Sequence, residues 1–211
     1  MTSISAADDD PYHHGDLPNA LRAAAVEVII DNGVGGFSLR EVARRAGVSH
    51  AAPGYHFGDA RGLLTSVAVE GFETLRRELE AAGDGIDDPL ARLEAIGRAY
   101  VRVGVEYPGH CQVIFRDDLI DEEDDRVQHA GLEAYGVLES TVAAIDNTYG
   151  LATSVTDAAQ LCWSAMQGLV ALQPKFAHLD ALRGGTGIDI DIEERASRFN
   201  VMLVKGMLAT P

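Results

Sequence analysis

The sequence predicts an all-α protein, and three observations carry that expectation. Apolar residues recur at three- and four-residue spacing through every long segment, the period of a helix with one buried face. No run alternates apolar and polar residues over a convincing strand length. Between Ser38 and Phe57, the stretch SLREVARRAGVSHAAPGYHF reads as two short helices joined by a tight turn. Ser38 is placed to cap the first by accepting from the free N–H groups of its opening turn. Leu39, Val42, Ala43 and Ala46 mark the buried face. Gly47 suits the left-handed backbone of a sharp turn. Val48 is positioned to plug the angle between the helices, and Ser49 to cap the second. This is the pattern of a helix-turn-helix, whose second helix enters the DNA major groove.

In chain order, a first helix is expected from about Leu17 to Asn32, with Asp16 as its cap and Pro18 tolerated in the first turn. Leu21, Ala25, Val28 and Ile29 line its inner face. Phe37 is expected in the core, ahead of the motif. Within the motif's second helix, Pro53 removes the bond that would run back to the Ser49 carbonyl, and Gly54 adds about 1 kcal/mol of helix weakness. A long fourth helix, about Ala60 to Ala82, carries Leu63, Leu64, Val67, Ala68, Phe72, Leu75 and Leu79. Gly83-Asp84-Gly85 breaks it, and Asp88-Pro89 starts the next helix, striped by Leu90, Leu93, Ile96, Tyr100 and Val103. Tyr107-Pro108-Gly109 turns into a short helix, His110 to Arg116. Residues Asp117 to Asp125 hold seven acids in nine positions. Their spacing lacks the glycine and order of a calcium loop, so a solvated, mobile loop is expected. Arg126 to Tyr149 is helical, with Val127, Leu138, Val142 and Ile145 as core. Ser154-x-x-Asp157 has the form of a capping box and opens a helix to about Gln173 that Pro174 should end. Arg183 to Asp191 is a loop. A last helix runs from about Ile192 to Leu208 and carries Ala196, Phe199, Leu203 and Met207.

The residues from Tyr12 to Leu75 resemble the DNA-binding domain of the tetracycline-repressor (TetR) family of bacterial transcription regulators. The resemblance is carried by the Gly-x-x-x-Phe-Ser lead at Gly33 to Ser38, the Ala-Gly-Val-Ser turn at Ala46 to Ser49, and the pair His56-Phe57. More weakly, YPGHCQVIFRDDL and WSAMQG resemble the ligand-binding domain of the subgroup marked by Trp-x-x-x-His-Gly; here Trp163 and Gly168 stand, but the histidine is Gln167. The resemblance implies that Ser38, Arg40, Arg44, Ser49, His50, Ala51, Tyr55, His56 and Arg61 form the DNA-binding set. The family's usual phosphate-binding tyrosine falls at Gly54 and its usual lysine at Ala60. Either Tyr55 and Arg61 take over those contacts or the contacts are lost. It also implies a C-terminal ligand cavity, with Tyr100, Val103, His110, Cys111, Phe115, Tyr135, Trp163, Met166 and Gln167 as its candidate lining, and a homodimer formed through the last two long helices.

The resulting division is a flexible acidic tail (1–11), a helix-turn-helix domain (12–59), a connecting helix (60–82) and a ligand-binding and dimerisation domain (83–211). No apolar run approaches the roughly 20 residues of a membrane helix, and the start, MTSISAADDD, does not read as an export signal. Cys111 and Cys162 are far apart, in no metal-like spacing, and are expected reduced in a cytoplasmic protein. His13-His14 is an incidental pair on a tail. No enzyme constellation, cofactor motif or metal site is legible.

Charge is the feature that sits awkwardly with DNA. The chain carries a net −16, and phosphates repel an acidic protein at long range. From Tyr12 to Thr65, however, Arg22, Arg40, Arg44, Arg45 and Arg61 balance Asp16, Glu27, Asp31, Glu41 and Asp59. The excess acid lies elsewhere. Three readings are open: a homodimeric regulator, expected to be a repressor of a palindromic double-stranded operator released by a small-molecule effector; a helical small-molecule-binding protein whose DNA binding is weak or lost; or a regulator that binds DNA or a protein partner with no effector.

Overall fold

A computed structural model describes residues 16–184 and 191–209 of the chain. The tail, with His13 and His14, and most of the loop before the last helix lie outside the described residues. Among the described residues the fold is all-α, with an N-terminal helix-turn-helix and a larger helical C-terminal part. The helices are α1 (Leu17–Asn32), α2 (Leu39–Arg45), α3 (Ala52–Phe57), α4 (Ala60–Gly83), α5 (Pro89–Glu106), α6 (Pro108–Cys111), α7 (Asp125–Tyr149), α8 (Val155–Leu182) and α9 (Ile192–Met207).

Leu21, Val28 and Ile29 of α1, Val42 of α2 and Leu63 and Val67 of α4 are fully buried in one core. Ser38 caps α2 by accepting from the Glu41 N–H at 3.3 Å, and Gly47 takes φ +69°, the left-handed turn between the two motif helices. Two expected caps are absent. Asp16 makes no side-chain cap; its carbonyl accepts from the Ala20 N–H instead. Ser49 does not cap α3, which begins three residues later, because Pro53 has no N–H to return to the Ser49 carbonyl. The Ala52 N–H takes that carbonyl at 3.0 Å in a tighter turn, and α3 is left only six residues long.

α4 runs through the whole molecule. Its first half packs on α1 and α3, its second on α5 and α7, and Leu63, Leu64, Val67, Ala68, Phe72, Leu75 and Leu79 are buried along it. Asp59 caps it, accepting from the Gly62 N–H at 2.9 Å. α5 is capped by Asp88 from two N–H groups. α6 is shorter and earlier than expected: Pro108 can open a helix, where its missing N–H costs nothing, and the chain then loosens into turns before Arg116. It packs against α1 and α4.

The acidic stretch is pinned rather than free. Ile120 is buried, the Asp121 N–H donates to Thr65 Oγ1 of α4 at 2.9 Å, and Asp124 caps α7 while pairing with Arg126 at 2.7 Å. The apolar pair Leu119-Ile120 within the acids is what the charge count hid. Ser154 caps α8 by accepting from the Asp157 N–H at 3.0 Å, and its hydroxyl, rather than its backbone N–H, donates to the Asp157 carboxylate at 2.7 Å. Pro174 does not end α8, which continues to Leu182. Proline removes one ladder bond, here to the Val170 carbonyl, and the helix-compatible residues after it carry the helix two further turns.

The contact between α3 and α4 is backbone against backbone. A Cβ at position 62 would run into the Phe57 carbonyl oxygen, and neither group can swing aside. Gly62→Ala is expected to destabilise the fold by about 1–3 kcal/mol, the usual cost of overpacking. Urea unfolding tests it; an unchanged midpoint would show that the joint is loose.

Candidate DNA-reading face and ligand cavity

The two motif helices present one solvent-facing surface. Ser38, Arg40, Arg44, Ser49, His50, Ala51, Tyr55 and His56 are all exposed on it, and Arg61 is exposed on the first turn of α4. Tyr55 stands furthest out, 86% exposed, with the His56 ring edge-on at 5.2 Å. Gly54, where the resemblance expects a tyrosine, has open space around it, so the protruding aromatic is moved one position along a one-and-a-half-turn helix.

The arginines of α2 are not equivalent. Arg44 grips Glu41 with two hydrogen bonds, at 2.8 and 2.7 Å. Arg45 bonds the same carboxylate at 3.1 Å and Asp31 at 2.7 Å. Hydrogen bonds from Arg44 first and Arg45 second hold the Glu41 carboxyl at about 2, far below its ordinary value. Arg40 has no ion pair or side-chain hydrogen bond among the described residues. Arg61 lies near enough to Glu122 of the acidic stretch to feel its charge. That stretch therefore sits beside the reading domain, and none of its residues lines the cavity described next.

The cavity lies between α4, α5, α7, α8 and α9 and holds about 30 Å³ of free volume. Of the candidate lining residues, Tyr100, Tyr135, Trp163 and Met166 line it. Val103, His110, Cys111, Phe115 and Gln167 do not. Gln167 lies just behind the wall: Trp163 Nε1 donates to Tyr100 Oη at 3.0 Å, and the Tyr100 hydroxyl donates to Gln167 Oε1 at 2.9 Å. Burial raises the Tyr100 pKa, so the hydroxyl keeps its proton. Tyr135 stacks on Trp163 with centroids 5.0 Å apart, and Phe115 stands edge-on to the same indole with centroids 6.4 Å apart. His110 faces α4 instead, with Glu70 Oε1 at 4.0 Å, and burial lowers its pKa. Burial pushes the thiols of Cys111 and Cys162 up to about 11, leaving them protonated and unreactive.

The sequence reading missed Leu75, Leu79, Leu93, Ile96, Gly97, Ala134, Leu138, Cys162 and Asn200 as lining. Most carry ordinary core stripes and give no signal of a cavity. Asn200 does give one: a carboxamide four residues after buried Ala196 on the inner face of an amphipathic helix is out of pattern. Among the described residues no group of three or more His, Cys, Asp or Glu is arranged to hold a metal ion, and no helix is long and apolar enough to cross a membrane.

Two family models match the chain. Residues 21–67 match bacterial regulatory proteins of the tetR family, and residues 93–194 match the tetracyclin repressor-like C-terminal domain. The chain belongs to the TetR family of transcriptional regulators. TetR regulators bind DNA operators and small-molecule effectors, usually as dimers; family and fold are those of regulators rather than enzymes. The matching C-terminal model does not single out the Trp-x-x-x-His-Gly subgroup. No curated protein matches the chain by sequence. Among solved structures, a protein of unknown function from Rhodococcus sp. RHA1 is 27% identical, covering 95% of this chain and 100% of its own at a TM-score of 0.76. Two structures share the fold at lower identity. The TetR family regulator PfmR from Thermus thermophilus is 16% identical, covering 88% of this chain and 97% of its own at 0.67. The fatty acid degradation regulator FadR from Bacillus halodurans is 13% identical, covering 92% and 98% at 0.69.

The hydrogen-bond chain through Tyr100 makes a specific demand on this TetR-family core. Tyr100→Phe strips the acceptor from the Trp163 N–H and the donor from Gln167. The expected cost is about 1–2 kcal/mol, that of a polar group left unpaired. Unfolding followed by emission of Trp163, the one tryptophan, measures it; full stability in the variant would show that water replaces the hydroxyl.

Proposed function

We propose that the protein is a homodimeric, cytoplasmic, effector-responsive repressor. In this reading it binds a palindromic double-stranded operator and leaves it when a small molecule occupies the C-terminal cavity. The observation that carries the reading is the course of α4. Its Gly62 lies against the last turn of α3, and its Leu75 and Leu79 line the cavity. At 1.5 Å per residue its 24 residues span about 36 Å. A small tilt at the cavity end becomes a displacement of several Å at the reading end. Half-sites on one DNA face lie about 34 Å apart, so a dimer held at the wrong spacing loses simultaneous contact. The effector must favour one arrangement, since equal affinity for both shifts nothing.

In the same reading the DNA-binding set is Ser38, Arg40, Arg44, Ser49, His50, Ala51, Tyr55, His56 and Arg61, with Tyr55 in the groove and Arg40 as the leading phosphate contact. The commitment of Arg44 to Glu41 gives it the smaller share. Arg40→Ala is expected to flatten the salt dependence of operator affinity by about 2 in the log–log slope, one phosphate per half-site, and Arg44→Ala by less. Gel shift with the promoter region beside the protein's own gene provides the DNA. If both variants bind unchanged at about 150 mM salt, the assignment is wrong. If the unaltered protein does not shift that DNA, the alternative reading gains: a small-molecule-binding protein whose cationic face has been lost to carboxylates.

The dimer part rests on apolar surface left uncovered on α8 and α9. Leu161, Leu172, Leu179, Leu182, Val201 and Met202 are exposed there, Leu182 by 70% and Met202 by 69%. Phe176, Phe199 and Met202 line a groove between the two helices, rimmed by Arg195 and Arg198. A stable dimer of this kind buries about 2,000 Å² or more. Sedimentation at micromolar concentration is expected to give a dimer, and Met202→Asp to shift it towards monomer; a monomeric unaltered protein would refute the arrangement.

A further inference from the structure

The cavity is almost wholly apolar, and its polar exceptions fall into two kinds. The Trp163 and Tyr100 groups are occupied with one another and with Gln167 behind the wall. Two other atoms are not. Asn200, 2% exposed, turns its amide nitrogen to the Leu93 carbonyl at 3.4 Å, while its Oδ1 is buried with no partner among the described residues. The Leu93 carbonyl can only accept, so the amide is oriented: nitrogen to the backbone, oxygen left over. Position 97 of α5 is glycine opposite it, and a Cβ there would collide with the Asn200 amide nitrogen. The fold thus makes room for this carboxamide. The second free group is the Tyr135 hydroxyl, also buried and unpartnered among the described residues.

The rest of the wall is equally informative. Leu75, Leu79, Leu93, Ile96, Leu138 and Met166 supply apolar surface, and none of the lining residues is Asp, Glu, Lys, Arg or His. A carboxylate or ammonium entering this space would shed its water with no counter-charge to receive it. A buried acceptor with no donor is a standing cost that a donor-bearing molecule removes. The free volume, about 30 Å³, admits a water or two, so a ring-sized molecule enters only as wall side chains move aside. Met166, with its flexible thioether stem, is the side chain best suited to yield further room.

We propose that the cavity takes a compact, uncharged, largely apolar molecule bearing one hydrogen-bond donor. Asn200 Oδ1 receives that donor, and the Tyr135 hydroxyl meets the molecule's polar atom from the other wall. The proposal rests on the sensor reading above only for its biological meaning; the binding chemistry stands on the cavity alone.

Three probes of one shape separate the possibilities: 4-ethylphenol, ethylbenzene and 4-ethylbenzoate. Calorimetry on the full chain measures affinity, and Trp163 emission reports that the cavity is the place occupied. The phenol is expected to bind about ten-fold more tightly than ethylbenzene, the worth of one hydrogen bond of about 1.4 kcal/mol, and the benzoate not to bind. In Asn200→Leu the phenol's advantage should vanish while ethylbenzene still binds. Tyr135→Phe, which leaves the Asn200–Leu93 bond intact, should reduce the advantage and serves if Asn200→Leu does not fold. Equal or tighter binding of the benzoate overturns the proposal. So does a phenol advantage that survives in the variants, or failure of all three probes to bind. Operator affinity measured beside each titration keeps the two readings apart. A benzoate that perturbs Trp163 and releases DNA leaves the sensor standing and removes the ligand class. A phenol that binds as expected with operator affinity unchanged does the reverse.

Discussion

Burial along α4 is the constraint on which the remaining structure depends. From Leu63 to Leu79 its inner face is covered throughout and mostly apolar, with Thr65, Ser66 and Thr74 buried among the leucines and valines, and it packs first on α1 and then on α5 and α7. One rigid rod therefore belongs to two packing environments. The reading helices cannot shift without dragging its first turn, because Gly62 brings α4 against the Phe57 carbonyl with no side chain between them. Helices too short to be stable alone, such as the six-residue α3, hold their shape through packing on their neighbours, here α2 and α4.

Charge is arranged to limit the liability of a very acidic chain. The carboxylates around α2 neutralise Arg44 and Arg45 internally, which orders the helix–turn region but withdraws those cations from the outer field. The acidic stretch after α6 is tied back to Thr65 and capped into α7, so much of its charge is fixed beside α4. In the proposed DNA complex, long-range attraction would then be weak and short-range contacts from Arg40, Tyr55 and the paired half-sites would dominate.

The C-terminal part holds a small apolar space with a hydrogen-bonded aromatic network in its wall and two buried polar atoms, Asn200 Oδ1 and the Tyr135 hydroxyl, without partners among the described residues. Its small free volume explains why so many of its wall residues look like ordinary core: in this state they are core. A pocket and a core differ by rearrangements of a few side chains, and the same leucines serve both.

Helix number, order and approximate limits were legible in the sequence because amphipathic spacing, Asp-Pro and Ser-x-x-Asp starts and glycine stops are local signals. The reading of Leu17–Asn32 and of α4 rested on them, as did the capping of α2 by Ser38. The helix-turn-helix was legible too, since its turn requires a glycine at a fixed offset, and Gly47 adopts that left-handed backbone. Tertiary structure alone decided the rest. Whether Pro174 stops a helix depends on the residues after it and around it, not on the proline. Whether Arg40 or Arg44 is available depends on where Glu41 and Asp31 come to lie. Which of the nine candidate lining residues meet at one cavity depends on how five helices cross, a relation among residues up to about a hundred positions apart such as Asn200 and Leu93. Local pattern says which face of a helix is buried; only packing says what that face is buried against.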